Sequence, residues 1–208
     1  MNYIDLLNYY LETNKNINAV DIEYDKSIKD VKFPSYITRI KLNANTSLSY
    51  IPSHITHLII GGRCSMSFKN LKCPNLVYLE LGNCYVLSLD HLINLKTLDF
   101  KHSFNYKDLT MPNSLINLVI YSYSEDILKN SPLGLKRLYI GNHSLVCRNS
   151  QFYNLPLSLE KIYIMRCNLR QNDCNEKLKE IESLFKLPFG CTIEFIDELP
   201  KYDAYPET

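Results

Sequence analysis

Residues 155–169 read LPLSLEKIYIMRCNL. The same outline recurs in FPSYITRIKL at 33–42, IPSHITHLII at 51–60, MPNSLINLVI at 111–120 and SPLGLKRLYI at 131–140. Each has a proline, then an apolar residue, two intervening positions, and two further apolar residues separated by one. Allowing Ile, Val or Phe for Leu, the pattern is LxxLxL. Its first apolar position falls at Ile17, Ile37, Ile55, Leu76, Leu95, Leu115, Leu135 and Leu159, with successive spacings of 20, 18, 21, 19, 20, 20 and 24 residues. A ninth, degenerate copy, CTIEFI at 191–196, keeps the alternation through Cys191, Ile193 and Phe195 but not the full spacing.

The closing LxL of each copy is a short alternating strand, with two apolar side chains on one face and the middle residue on the other. A unit of about 20 residues closes no core alone, so each coil buries its apolar ladder against the next. Copies running in one direction and one register predict a single curved parallel sheet of eight or nine strands. About 14 residues then return the chain, room for extended or 3₁₀ structure and rarely for a full helix.

Proline placement agrees with this register. Pro34, Pro52, Pro112, Pro132, Pro156 and Pro188 each stand three residues before the first position of a copy, and Pro74 stands two before. Proline lacks the N–H that a ladder needs, so it suits the corner before a strand. Three residues past the strands' last apolar positions lie Asp25, Asn45, Cys84, Ser103, His143 and Cys167. Arg63 and Tyr123 break that column.

With these residues the chain resembles a leucine-rich repeat protein, an α/β solenoid. It is most similar to the FNIP-repeat subgroup found in amoebae and in the giant DNA viruses that infect them. The residues carrying the finer resemblance are Pro34-Ser-Tyr-Ile37 and Pro156-Leu-Ser-Leu159, with Phe104-Asn105 and the looser Phe68-Lys-Asn70 and Phe152-Tyr-Asn154. The resemblance implies that Asn45, Cys84 and Cys167 form the structural ladder inside the turns. Many members place an F-box ahead of the repeats, and only about 16 residues precede the first strand here. The domain expectation is one unit: 1–16 an N-terminal cap, 17–169 repeats, 170–198 a cap helix and strand, and 199–208 a tail, of which KYDAYPET at 201–208 is expected to be mobile. Helix is expected mainly at 3–13, where Ile4, Leu7 and Leu11 share a face, and at 174–186.

Composition excludes several classes of function. The chain has 208 residues with 23 Lys plus Arg against 22 Asp plus Glu, so no net charge draws it to nucleic acid or an anionic membrane. No apolar run approaches the length of a membrane span, and MNYIDLLNYYLETNK does not read as a signal peptide. Seven cysteines without a CxxC pair suggest reduced, buried thiols and a cytoplasmic protein, in a host cell if the source is viral. No nucleophile elbow, P-loop, dinucleotide fingerprint or zinc motif is present, and the HxxH pair His54/His57 has no third ligand at a suitable spacing. The expectation is therefore a non-catalytic protein without cofactor or metal.

What remains is the face opposite the ladder. Its two columns read Asp21, Lys41, Ile59, Glu80, Asp99, Val119, Tyr139, Tyr163 and, two residues earlier, Ala19, Arg39, His57, Tyr78, Thr97, Asn117, Arg137, Lys161. Lys101, Tyr121 and Met165 lie just beyond the strands. Tyr and Arg give large contact area with polar ends that a partner can satisfy. Tyr78, Tyr121, Arg137, Tyr139, Lys161 and Tyr163 are accordingly expected to bind a protein partner, a host protein if the source is a virus. Because Arg137, Tyr139, Lys161 and Tyr163 point away from the ladder, their removal is expected to cost little stability. Two other readings are a substrate-recognition adaptor working with ubiquitin-ligase components and, less favoured, a binder of single-stranded nucleic acid.

Overall fold

The computed structural model describes residues 2–22, 30–42, 51–61, 72–82, 86, 88–101, 109–121, 125–141, 155–166, 179–180 and 182–201. After an N-terminal helix, α1 (Tyr3–Thr13), come β1 (Ala19–Ile22), β2 (Arg39–Leu42), β3 (His57–Ile60), β4 (Tyr78–Leu81), β5 (Thr97–Phe100) and β6 (Asn117–Ile120). A short helix, α2 (Glu125–Lys129), precedes β7 (Arg137–Ile140), β8 (Lys161–Met165) and β9 (Thr192–Ile196). The nine strands form one sheet in chain order, every neighbouring pair parallel. This is a leucine-rich-repeat-like solenoid of short coils.

The register is the one that LxxLxL demands. Val20, Ile40, Leu58, Leu79, Leu98, Leu118, Leu138, Ile162 and Ile193 form one continuous column through the sheet. With the third ladder position and the residues that open each copy they make one hydrophobic core along the stack. Leu58, Leu79, Leu98, Leu118 and Leu138 are fully enclosed, as a unit that depends on both neighbours requires.

The prolines do more than avoid the ladder. In six coils the proline carbonyl accepts the amide of the residue that opens the next copy: Pro34 from Ile37 (3.0 Å), Pro52 from Ile55 (3.2 Å), Pro112 from Leu115 (3.2 Å), Pro132 from Leu135 (3.1 Å), Pro156 from Leu159 (3.0 Å) and Pro188 from Cys191 (3.0 Å). Each proline thus opens a β-turn through the one backbone polar group it retains. Where the turn holds serine before the apolar residue, its hydroxyl donates to the preceding coil: Ser114 Oγ to the Leu95 carbonyl at 2.8 Å, and Ser158 Oγ to that of Leu135 at 2.7 Å.

The N-terminal cap forms as its sequence predicts. The Asn2 side chain accepts the Asp5 amide at 2.9 Å, and the Asn14 side chain donates to the Tyr10 carbonyl at 2.8 Å, closing both ends of α1. Leu7 and Leu11 enter the core. Asn8 takes the Lys32 amide at 2.9 Å, and the Tyr36 hydroxyl donates to the Leu11 carbonyl, pinning the helix to the first coils. At the other end residues 179–180 and 182–183 are helical and Phe185 is buried in the core; the rest of the expected 174–186 helix lies outside the described residues. So do Asn45, Cys84 and Cys167, with the whole of the column after the strands. One helix, α2, was not anticipated: it occupies a return segment and buries Ile127 and Leu128.

Candidate functional site

Strand alternation sends two registered columns to the face opposite the ladder. One runs Asp21, Lys41, Ile59, Glu80, Asp99, Val119, Tyr139, Tyr163 and Glu194; the other runs from Ala19 through Tyr78 and Arg137 to Lys161 and Thr192. All six residues expected to bind a partner lie on this face or directly beyond it, in two groups. Arg137, Tyr139, Lys161 and Tyr163 are neighbours on β7 and β8, while Tyr78 on β4 and Tyr121 beyond β6 line one cavity.

The face is strongly curved. Lys41 on β2 and Met165 on β8 line the same cavity of about 420 Å³, although six strand steps, about 29 Å along the sheet, separate them. The inner face therefore curls around a groove, and its middle strands lose their solvent. In β5 and β6 every residue is buried on both faces, whereas β1 at the edge keeps Ala19 and Asp21 exposed. Tyr78, Val119 and Tyr139 form a second apolar cluster, against which Ile59, Tyr121, Tyr163, Ile196 and Leu199 pack.

This burial corrects the expectation that the tyrosines stand free of packing. Tyr78 and Tyr139 are each only 2% exposed. Tyr139 lies face to face with Tyr163, and burial pushes its phenol up to about 12. The more accessible parts of the group are Tyr163, Lys161 and Arg137, which are half-buried. The Lys161 ammonium stands 5.1 Å from the centre of the Tyr163 ring and is ion-paired to Glu194. Tyr121 finds room because its neighbour Gly141 has no side chain: a Cβ there would meet the Tyr121 ring at 2.9 Å.

A polar cluster sits on the floor between the tyrosines. Lys101 Nζ lies 2.8 Å from Asp99 Oδ2 and 3.6 Å from Glu80 Oε2. The Tyr78 hydroxyl is within hydrogen-bond reach of both carboxylates, at 3.1 Å from Glu80 and 3.3 Å from Asp99. Lys101 also stands over the Tyr121 ring, 5.4 Å from its centre. Desolvation outweighs the Lys101 charge and pushes the Asp99 carboxyl up to about 6. For Lys101 the balance is opposite: burial works against its charge, but the two carboxylates prevail and hold the ammonium above its usual range. Asp99 is 0% exposed, and its Oδ1 has no hydrogen-bond partner among the described residues.

Sequence reasoning did not find the groove's fourth wall. The segment after β9, expected to be a tail from residue 199 onward, lies against this face: Leu199, Pro200 and Lys201 line the groove with Ile59, Tyr78 and Tyr121. Residues 202–208 are outside the described part. Apolar residues in a polar tail, Leu199 followed by Pro200, were the available signal. The buried middle of the face also follows from apolar Ile59 and Val119 in a column that is otherwise polar or aromatic.

Among the described residues no group of three or more His, Cys, Asp or Glu is placed to hold a metal ion, and no helix is long and apolar enough to cross a membrane. No protein-family model matches the chain, and no curated protein is similar enough to register as a relative.

Proposed function

We propose that the protein is a non-catalytic interaction module that binds a segment of a protein partner in its concave groove. The observation that carries this reading is an apolar, tyrosine-lined groove on a face where three lysines are already matched. Lys101 is held by Asp99 and Glu80, Lys161 by Glu194 and Lys41 by Asp21. A nucleic-acid strand gains most of its affinity from cations that exchange small counterions for phosphates. Here each of these cations would first have to leave a carboxylate, which favours a protein partner over a polyanion. Exposed rims on Tyr163, Lys161 and Arg137 supply the aromatic and cationic contacts that protein interfaces concentrate.

The finer family reading belongs with this proposal. The serine of the Pro-x-Ser corner bonds the preceding coil at Ser114 and Ser158, which gives that motif a structural purpose and supports membership of the FNIP-type repeats. A cytoplasmic setting and a role in presenting partners to ubiquitin-ligase components go with that membership.

The test uses the full-length protein with photo-reactive benzoylphenylalanine in place of Tyr163. Irradiation in the native cell should yield a defined adduct with one protein. Tyr163→Ala should weaken binding of that protein, once purified, by about thirtyfold, or 2 kcal/mol. An equal affinity for wild type and Tyr163→Ala would overturn the assignment. Tighter, strongly salt-dependent binding to a labelled single-stranded oligonucleotide would replace it with the nucleic-acid reading.

A further inference from the structure

The segment that follows β9 is tied down before it reaches the groove. The Arg166 amide donates to the Ile196 carbonyl at 2.8 Å, and its guanidinium meets Asp197 at 3.3 Å. From there the chain turns across the inner face, and Leu199 packs on the cluster of Tyr78, Val119 and Tyr139. Three residues past Ile196 reach at most about 11 Å, so only the curl of the sheet brings Leu199 to side chains carried by β3 and β4. The segment is too short to wander far from the groove. Its effective concentration there is on the order of millimolar, enough for a weak contact to hold it against the face.

The chemistry of the segment matches the groove. Leu199 and Pro200 present apolar surface to Ile59, Tyr78 and Tyr121. Two carboxylates, Glu80 and Asp99, share one ammonium, Lys101, which leaves the floor with a negative charge in excess. Lys201 brings a positive charge to the same cavity.

We propose that Leu199-Pro200-Lys201 is a built-in occupant of the concave groove, and that the partner segment bound there shares its chemistry. That segment is extended, carries an aliphatic side chain followed by proline and a cation, and binds by taking the place of the strap. The identity of the ligand class rests on the concave face being the binding surface; the occupancy by the strap does not. The apparent Kd for such a ligand is the intrinsic Kd divided by the fraction of molecules whose groove is open, so loosening the strap should tighten binding without adding a contact.

The experiment needs no identified partner. Hydroxyl-radical footprinting, read residue by residue, compares the full chain with its L199D variant. Labelling of Tyr78 and Tyr121 should rise several-fold in L199D, while Tyr36, on the far side of the core beside α1, should not change. Unchanged labelling at Tyr78 and Tyr121 overturns the strap. If Tyr36 rises as well, the variant has loosened throughout, and the milder L199A decides by the same comparison. A fluorescent peptide with the sequence of residues 195–201, FIDELPK, is then titrated into both proteins. It should bind L199D about tenfold more tightly than wild type. Equal affinities, or no binding to L199D, overturn the ligand class, whatever the crosslinking from residue 163 shows.

Discussion

Tyr139 and Tyr163 lie ring on ring, their centroids 4.6 Å apart and their planes inclined by 6°. The two are not equivalent. Tyr139 is enclosed between its partner and the cluster of Tyr78 and Val119, whereas Tyr163 closes the stack from the side nearer solvent. Tyr139→Ala should therefore behave as a core truncation and destabilise by about 3 kcal/mol. Tyr163→Ala should cost about 1 kcal/mol, the share of a stacked pair that is half open to water. Urea unfolding of the two variants checks this. Equal losses would place both rings in the same environment.

Asp99 makes stability depend on pH in an unusual direction. Its carboxyl titrates at about 6 in the fold against an ordinary 3.8, so the folded state holds the proton more tightly than the unfolded one. The stability contributed by that proton is present below about pH 4 and lost as pH rises through about 6. The loss amounts to about 3 kcal/mol. Plotting wild-type stability minus that of Asp99→Asn against pH isolates the group, and the difference should fall over this window and stay flat above it. A difference that rises with pH would show the Lys101 ion pair prevailing over desolvation.

Cys73 is buried, with its Sγ 3.9 Å from the Ile51 carbonyl, and burial pushes its thiol up to about 11. Almost no thiolate exists at neutral pH, and thiolate is the reactive form. Maleimide labelling followed by peptide mass spectrometry should find Cys73 unmodified in the native protein and modified promptly in urea. Prompt native labelling would mean that the second and third coils open locally.

The hydroxyl of Tyr36 is the tie between the first complete coils and the last turn of α1. Tyr36→Phe keeps the ring and removes that bond, which should cost about 1 kcal/mol. Hydrogen exchange should speed up in residues 3–13 more than in the strands. Uniform acceleration across the sheet would show that the helix and the solenoid open as one unit.

Much of this architecture is legible in the sequence because its cause is local. The spacing from Ile40 to Leu58 to Leu79 fixes the register, and the proline before each copy fixes the corner. Each decision involves residues within one coil of each other. The six proposed contact residues were likewise assigned to the correct face by alternation alone. How deeply each residue of that face is buried was only partly legible, because it depends on how far the sheet curls, a property of the whole stack and not of any one coil. Tyr139 and Tyr163 occupy equivalent positions in adjacent copies, and nothing in either copy says that one is enclosed. Leu199 illustrates the same limit: the cluster it packs on is carried by strands 60 or more residues away in sequence, and no repeat announces it.

A stack of coils normally behaves as a one-dimensional chain of neighbours, in which an end can fray without the middle noticing. Leu199 breaks that rule by packing on the cluster that contains Tyr78, and by lining one cavity with it, while following the last coil. Fraying at β9 should withdraw cover from β4, five strands away, so the terminal coil and the centre should lose structure together. The same contact sets an order on synthesis. Every earlier coil can stack as it leaves the ribosome, but the inner face stays open until residues 199–201 have emerged, and a partner present at that moment meets a groove without its strap.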